Sequence, residues 1–261
     1  MEYNIVAAGF TLKGPSRRKN EDNFLCGGFF LPDLHVDAEF SAASFSTAES
    51  NWIAVFDGVG GEVRGETASF LAARAMAGHG AASGFGHDPD PVFVSDPAEI
   101  TARMNSAICA YAEKMQVRVM GSTVAALCFC GRSVNGFNVG DSRCYRLSEG
   151  RLERLSTDHA VYAGHPPQRL LTQYLGIPEK EYIITPACFQ GECREGDLYL
   201  LCTDGISDVI IDRKLKDLMA ADTSLQDKLQ EIRDRLERNG TPDNATAVLV
   251  SVDSVLEKQA R

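Results

Sequence analysis

Short apolar runs along the chain stop repeatedly at an aspartate beside a glycine. The clearest run, residues 52–56, reads Trp-Ile-Ala-Val-Phe, and similar runs occupy 134–139 and 197–202. Large apolar and β-branched residues bounded by turn residues are typical of β-strands. The aspartates that follow the three runs are Asp57, Asp141 and Asp204. The pattern therefore predicts strands that each deliver a carboxylate at one tip.

Other segments repeat apolar residues every three or four positions, as an amphipathic helix does. The clearest helix is predicted at 97–118, with Ser95 or Asp96 as its cap and Pro97 in its first position. The residues predicted to form its buried stripe are Ile100, Met104, Ile108, Tyr111 and Met115. Further helices are predicted at 65–77, 212–221 and 224–238.

Strands interrupted by turn signals occupy much of the remaining chain. They are predicted at 3–13, 122–130, 142–147, 152–155, 182–189 and 245–252. Residues 27–50 read as a long loop or an irregular hairpin, and residues 78–96 as a surface loop. Many short strands with helices in separate runs favour an α+β layered fold with antiparallel sheets.

Composition narrows the class of protein. A chain of 261 residues that is 44% apolar can bury one large core, and we predict a single domain. The net charge of −10 argues against nucleic-acid binding, which needs a basic face. Eight cysteines lie singly in apolar runs and five histidines are scattered, so we expect small core thiols and no zinc site.

The chain also lacks the marks of a membrane or exported protein. No window is long and apolar enough to cross a bilayer, and residues 1–5 lack the basic and apolar regions of a signal peptide. We therefore expect a cytoplasmic location and no membrane contact.

The aspartates at strand tips are the first candidate site. Three glycines follow Asp57 within four positions, which indicates either a simple turn or an unshielded carboxylate that holds a cation. Asp243, beside an asparagine, joins Asp141 and Asp204 in the same setting, and Asp208 lies one helical turn after Asp204. Clustered carboxylates repel unless cations neutralise them, and an all-oxygen ligand set favours Mg²⁺ or Mn²⁺.

A charged segment near the start of the chain is the second candidate. Arg17 precedes Glu21 and Asp22, which is either a solvated turn or an arginine for an anion beside carboxylates for a cation. Two divalent cations can activate a water for attack on phosphorus, and arginine can hold phosphate oxygens.

Seven short motifs appear in a fixed order across nearly the whole chain. They lie at 17–22 (Arg-Arg-Lys-Asn-Glu-Asp), 57–61 with 65–69, 121–123, 139–143, 158–159, 202–208 and 243–246. In this order they resemble the PPM family of metal-dependent serine/threonine protein phosphatases, also called type 2C phosphatases. The resemblance implies a four-layer αββα sandwich of two antiparallel β-sheets flanked by helices, formed by one catalytic domain over 1–261.

The resemblance also implies roles for particular residues. Asp57 would bridge two Mn²⁺ or Mg²⁺ ions and Gly58 would give its carbonyl to one of them, while Asp204 and Asp243 would complete the other. Glu21 and Asp22 would act through metal-bound waters, and Arg17 would hold the substrate phosphate. The positions of a third, weaker metal in many members correspond to Asp141, Asp204 and Asp208.

The implied reaction is direct attack of a metal-bridging hydroxide on the phosphorus of phosphoserine or phosphothreonine. The implied partners are phosphorylated proteins, with a serine/threonine kinase or its targets as candidates, and we expect a monomer. Two alternatives stay open: a catalytically silent relative that binds phosphoproteins as a scaffold, and an enzyme for small phosphate esters. Loss of a metal aspartate would favour the scaffold, and none is lost.

The chain departs from the family pattern in two places. Val59 stands where some members have a histidine that acts as general acid, and Glu62 stands where many bacterial members have a histidine. A metal-bound water would then protonate the leaving oxygen. Between His159 and Leu170 the usual helical flap is reduced to a short turn-rich piece, which predicts a more open site. We interpret His159 and His165 as structural or surface residues.

Overall fold

The computed structural model describes residues 2–47, 52–59, 64–82, 96–165 and 168–256. Its strands are β1 (Glu2–Leu12), β2 (Asn23–Cys26), β3 (Phe29–Phe30), β4 (Ala38–Ser46), β5 (Trp52–Phe56), β6 (Gly58–Val59), β7 (Gly121–Ser122), β8 (Val124–Cys130), β9 (Ser133–Val139), β10 (Arg143–Ser148), β11 (Arg151–Arg154), β12 (Ala160–Ala163), β13 (Gln168–Leu171), β14 (Ala187–Glu192), β15 (Leu198–Cys202) and β16 (Ala245–Leu256). Its helices are α1 (Gly65–Ala82), α2 (Pro97–Met115), α3 (Asp204–Ser207), α4 (Asp212–Met219) and α5 (Leu225–Asn239).

Within these residues, most strands belong to two six-stranded antiparallel sheets. The strand order is β11-β10-β15-β16-β1-β4 in one sheet and β14-β9-β8-β5-β2-β3 in the other. The pairs β12 with β13 and β6 with β7 form two small additional sheets.

The alternation of side chains along β1 shows how the layers are built. Tyr3, Ile5 and Ala7 pack into the apolar cluster between the two sheets. Ala8 and Phe10 point the other way, into a cluster with the buried faces of α4 and α5. Successive strand residues face opposite sides of a sheet, so one strand supplies both clusters.

Helices α1 and α2 cover the other sheet in the same manner. Trp52, Ala54 and Phe56 of β5 pack with apolar residues of both helices. The layers are therefore helix, sheet, sheet, helix, and the α+β four-layer sandwich predicted from the sequence is confirmed.

The predicted N-cap of α2 is confirmed, but the buried apolar stripe of the helix is shorter than predicted. The Ala98 amide donates to Oδ1 of Asp96 at 2.9 Å, and Pro97 occupies the first turn. Ile100, Met104 and Ile108 are buried as predicted, whereas Met115 is 41% exposed. Tyr111 and Ala112 still pack against the apolar cluster, so contact with it is lost only at the end of the helix.

Several predicted segments differ from the structure. Residues 38–46, predicted within a loop or irregular hairpin, form the edge strand β4 along β1. Helix α1 continues to Ala82, so residues 78–82 are not loop, and the strand predicted at 182–189 lies later, at 187–192. The expectations for 48–50 and 83–95 lie outside the described residues.

The turn-rich piece after His159 is also more regular than predicted. Residues 160–163 and 168–171 pair as an antiparallel hairpin of β12 and β13, with Tyr162 opposite Arg169. The expectation for Pro166 and Pro167 lies outside the described residues.

All eight cysteines are free thiols. Five of them are buried, whereas Cys109 and Cys130 are partly exposed and Cys188 is exposed, so the expectation of core thiols holds for most of them. Among the residues that the structure describes, no helix is long and apolar enough to cross a membrane.

Candidate active site

A cavity of about 550 Å³ lies where the tips of β5, β9 and β15 meet the start of β16. Eight of the nine site residues predicted from the sequence line it: Arg17, Glu21, Asp57, Gly58, Asp141, Asp204, Asp208 and Asp243. The ninth, Asp22, is fully buried. The structure therefore brings the two candidate regions of the sequence together at one site.

Thr123, which lies between β7 and β8, fixes the backbone of Asp57. The Asp57 amide donates to Oγ1 of Thr123 at 3.1 Å, and the Thr123 amide donates to the Asp57 carbonyl at 2.8 Å. Next to it, the Gly58 amide donates to the Glu21 carbonyl at 3.1 Å. A Cβ on Gly58 would lie 2.3 Å from the Gly65 carbonyl oxygen, so only glycine fits this crossing of chains.

Asp22 is held beneath the cavity by two hydroxyl groups. Oδ2 of Asp22 accepts hydrogen bonds from Thr203 at 2.8 Å and from Thr246 at 2.7 Å. These threonines flank the strand tips that carry Asp204 and Asp243. The hydrogen bonds fix the Asp22 carboxyl against both tips.

Asn244 joins the start of the chain to its last strand. Its Oδ1 accepts from the Glu21 amide at 2.9 Å, and its Nδ2 donates to the carbonyls of Lys13 at 2.7 Å and Lys19 at 2.9 Å. The loop that carries Arg17 and Glu21 is therefore fixed next to Asp243.

Arg17 contacts the acidic cluster directly. Nη2 of Arg17 lies 2.6 Å from Oδ2 of Asp243, and both side chains are partly exposed. The guanidinium thus lies at the rim of the cavity, where it can meet an anion entering from solvent.

Arg169 of β13 contacts three of the predicted site residues at once. Its Nε lies 2.8 Å from Asp141, and its two terminal nitrogens lie 2.5 Å from Asp204 and 2.5 Å from Asp208. Side chains from two separate parts of the chain, the tip of β9 and the short helix α3 with its C-cap, therefore converge on one guanidinium.

The crowding of acids shifts several pKa values upward. Burial, followed by the charges of Asp204, Asp22, Asp141 and Asp243, raises the pKa of Asp57 well above its ordinary range. Burial and the charge of Asp204 raise the pKa of Asp141 to about 6, although Arg169 opposes the shift. Burial raises the pKa of Asp22 to about 8 against the effect of its two hydroxyl partners.

Glu21 and Arg17 are perturbed less. Burial and the charge of Glu66 raise the pKa of Glu21. The pKa of Arg17 is raised by its hydrogen bond to Asp243 and by nearby acids, although desolvation acts in the opposite direction. Negative charge is thus in excess throughout the cavity.

The residues of the cavity fit divalent metal ions. Six carboxylates and only two arginines line it. The buried oxygens Oδ1 of Asp22 and Oδ1 of Asp204 have no hydrogen-bond partner among the described residues. Unpaired carboxylate oxygens and a glycine carbonyl are the ligands that Mg²⁺ and Mn²⁺ take.

The carboxylates are nevertheless not arranged as a finished cage. Within the described ranges, no group of three acidic, histidine or cysteine side chains is placed to hold a metal ion as it stands. Arg17 and Arg169 instead hold the carboxylates of Asp243, Asp141, Asp204 and Asp208.

The structure also shows the surroundings of Val59 and His159, two further residues that the sequence analysis considered. Val59 lines the cavity and offers no proton. His159 accepts from the Gly140 amide at 3.2 Å through Nδ1, and burial lowers its pKa, which agrees with a structural role. The expectation for Glu62 lies outside the described residues.

Sequence reasoning missed two contributors to the site. Arg169 lies among ordinary residues of a short strand, and no motif marks it. Asn244 was part of a recognised motif, but its links to residues 13–21 depend on chain crossings that the sequence does not show.

The fold and the site define a class: an αββα sandwich with a carboxylate cluster suited to metal ions at the strand tips. Comparison with known proteins agrees with this class. The family model "Protein phosphatase 2C" matches residues 38–251. The chain belongs to the protein phosphatase 2C family.

Two bacterial relatives illustrate the similarity. The serine/threonine protein phosphatase PstP of Mycobacterium tuberculosis is 30% identical over 224 residues, which cover 78% of this chain and 41% of PstP. The chain thus spans well under half of that relative. The serine/threonine phosphatase stp of Listeria welshimeri is 28% identical over 260 residues, which cover 92% of this chain and 93% of stp.

A solved structure supports the same grouping. The catalytic domain of PstP in complex with two manganese ions has a TM-score of 0.75 and 25% identity, and the match covers 96% of this chain and all of that domain (100%). The two proteins therefore share the sandwich over nearly its full extent.

Proposed function

We propose that this chain is a metal-dependent phosphatase that hydrolyses phosphoserine and phosphothreonine in proteins. The observation that carries the proposal is the convergence of six carboxylates, Gly58 and Arg17 on one cavity. The named activities of PstP and stp, and the two manganese ions of PstP, support it. Residues 1–261 would form one catalytic domain.

The metal ions would be two Mn²⁺ or Mg²⁺. Asp57 would bridge them, Gly58 would serve one, and Asp204 and Asp243 would serve the other. Bound there, the ions would supply a hydroxide for direct attack on phosphorus and would neutralise charge on the transferring group. Glu21 and Asp22 would act through metal-bound waters.

Arg17 would hold the phosphate of the substrate. It lies at the rim of the cavity, and its planar guanidinium matches phosphate oxygens. To do so it must exchange the Asp243 carboxylate for phosphate. Asp243 would be released for this exchange when it turns to a metal ion.

The test is hydrolysis of a phosphothreonine peptide by the purified protein in EDTA, Mg²⁺ or Mn²⁺. Asp204→Asn removes a predicted ligand, and Asp217→Asn makes the same chemical change on an exposed side chain of α4. Manganese-dependent release of phosphate that Asp204→Asn abolishes and Asp217→Asn preserves would establish the function.

The same assay separates the alternatives. Turnover of p-nitrophenyl phosphate without turnover of any phosphopeptide would favour small phosphate esters as substrates. Metal binding by calorimetry without turnover of either compound would favour a phosphoprotein-binding scaffold.

A further inference from the structure

The first residue of helix α1 packs directly against two oxygens of the proposed metal site. A Cβ on Gly65 would lie 2.7 Å from Oε2 of Glu21 and 2.9 Å from the carbonyl oxygen of Gly58. Both distances are shorter than ordinary van der Waals contacts, so a side chain at residue 65 would push these oxygens away. The start of α1 therefore lies beside the Glu21 carboxylate and the Gly58 carbonyl.

Glu66, the second residue of α1, is a buried acid at this point. Its side chain is only 5% exposed, and its Oε1 accepts a hydrogen bond from Nζ of Lys19. After burial, the charge of Glu66 is the largest cause of the raised pKa of Glu21. The two carboxylates thus lie close enough to repel each other.

The contact with Lys19 uses only one of the two Glu66 carboxylate oxygens. The other, Oε2, is buried and has no hydrogen-bond partner among the residues that the structure describes. A buried carboxylate oxygen without a donor costs free energy, because it has lost the hydrogen bonds that water would give it. Half of the Glu66 carboxylate is therefore available to a donor beside Glu21.

A hydrated divalent cation at Gly58 would supply such a donor. The Gly58 carbonyl is a proposed ligand, and Mg²⁺ in particular keeps several of its waters when it binds to a protein. Carboxylates that accept hydrogen bonds from a metal ion's own ligands orient those ligands and raise its affinity. The charge of the cation would also relieve the repulsion between Glu21 and Glu66.

We infer that Glu66 is a positioning residue of the metal site. Lys19 holds Oε1, and this contact leaves Oε2 to accept a hydrogen bond from a water on the cation that Gly58 binds. Glu66 thus acts on the same cation as Glu21 without touching it. The inference rests on the metal site of the proposed function and adds to it a residue outside the proposed set of ligands.

Calorimetric titration of the whole chain with Mn²⁺ tests the inference without measuring activity. Glu66→Gln keeps the shape of the side chain and an oxygen for Lys19, and it removes the charge and one acceptor. Glu99→Gln is the matched control, because Glu99 is an exposed acid in the first turn of α2 and lies outside the cavity lining. We expect Mn²⁺ to bind about tenfold more weakly at one site of Glu66→Gln, the lower end of the losses found when such partners are removed. Glu99→Gln should bind Mn²⁺ as the wild type does.

Urea denaturation in EDTA distinguishes positioning from a purely structural role. Without metal, Glu66→Gln loses the ion pair with the half-exposed Lys19 but also loses the repulsion of Glu21, so the unfolding midpoint should change little. A lower midpoint in EDTA together with unchanged Mn²⁺ affinity would overturn the inference, because Glu66 would then only fasten Lys19 to α1.

A double variant tests whether Glu66 and Glu21 act on the same cation. Glu21→Gln should itself weaken Mn²⁺ binding, and Glu66→Gln should add less to that loss than it causes alone, because the two side chains share one partner. Losses that simply multiply in the double variant would overturn the inference.

Hydrogen exchange on the wild type needs no substitution. Mn²⁺ should slow exchange of the amides at 68–72 of α1 severalfold, because the cation then holds the start of this helix through Glu66. The amides at 100–104 of α2 serve as the reference. Equal effects of Mn²⁺ on both helices would overturn the inference even if Glu66→Gln failed to fold.

The titration also separates this inference from the proposed function. Wild-type protein that binds no Mn²⁺ would contradict the metal site itself. Wild-type protein that binds Mn²⁺ with the same affinity as Glu66→Gln would overturn only the role of Glu66.

Discussion

The two ends of the acidic cavity are neutralised in different ways. At one end Arg17 pairs with Asp243 alone, and both side chains remain substantially exposed, at 44% and 32%. At the other end Arg169 is inserted among three carboxylates. The first end is open to an incoming anion, whereas the second resembles a cation site already filled.

The difference shows that position within the cavity decides what an arginine does. An exposed ion pair contributes little to stability because water screens it, so Arg17 can leave Asp243 at small cost. A well-inserted guanidinium replaces water around several carboxylates, and its removal leaves their charges unpaired.

The largest expected effect comes from the carboxylate between the two ends. Asp57→Asn should lower kcat/KM on a phosphothreonine peptide by about 1,000-fold, roughly 4 kcal/mol, because Asp57 is the proposed ligand of both metal ions. Steady-state kinetics in Mn²⁺ check this, with circular dichroism to confirm folding. Retained activity would contradict Asp57 as the bridging ligand.

Next in size is the stability contribution of Arg169. In EDTA, Arg169→Gln should lower the free energy of unfolding by about 2 kcal/mol, because charged hydrogen bonds to three partners are lost. Urea denaturation measures the change. Arg194→Gln should change it by less than about 0.5 kcal/mol, since the ion pair of Arg194 with Glu149 is exposed. If both substitutions lowered the free energy of unfolding equally, the inserted Arg169 would contribute no more to stability than an exposed arginine.

Arg17→Ala should affect catalysis more than stability. We expect KM for the phosphopeptide to rise about tenfold with little change in kcat, because the lost contact is made to the bound phosphate as well as in the transition state. Arg17→Lys should recover part of this loss, since it keeps the charge without the planar fork. Unchanged KM in Arg17→Ala would mean that another residue holds the phosphate.

The smallest expected effect is a pH dependence of the metal-free protein. The pKa of Asp141 is raised to about 6 in the folded state, above its ordinary value of 3.8. Its contribution to stability is therefore present below pH 3.8 and is lost as pH rises through about 6. Urea denaturation in EDTA at pH 5 and pH 7.5 should show a smaller loss of stability on raising the pH in Asp141→Asn than in the wild type.

Urea denaturation in saturating Mn²⁺ gives a second test of the same pH dependence. A metal ion neutralises the carboxylates, so it should remove most of the loss in wild-type stability at pH 7.5. A loss of equal size in the wild type and in Asp141→Asn would show that Asp141 does not titrate as its surroundings imply.

Local sequence pattern predicted most strands and helices because their signals are local. The strand at 52–56 is predicted by its continuous apolar run. The buried stripe of Ile100, Met104 and Ile108 is predicted by its helical spacing. Strand β4 was missed because residues 38–46 are rich in serine and alanine, which have weak strand preference. Its conformation is set by pairing with β1, a contact between distant parts of the chain.

The acids of the candidate site were predicted for a similar reason. Asp57 follows an apolar run directly, and Asp141 and Asp204 each follow one after a single residue, so the sequence itself places them at strand tips. Their roles as metal ligands stay predictions, because no bound ion tests them. The contacts of Asn244 could not be predicted in this way, because its hydrogen bonds reach back more than 220 residues.

The sequence by itself determined the layered fold, the family and the acidic residues that face one another. Only the tertiary structure decided which cations meet those acids. Arg169 is 35 residues from Asp204 and 39 from Asp208, and nothing in its neighbours along the chain indicates that contact. Charge acts through space and not along the chain, so the partners of a carboxylate become visible only when the fold has brought them together.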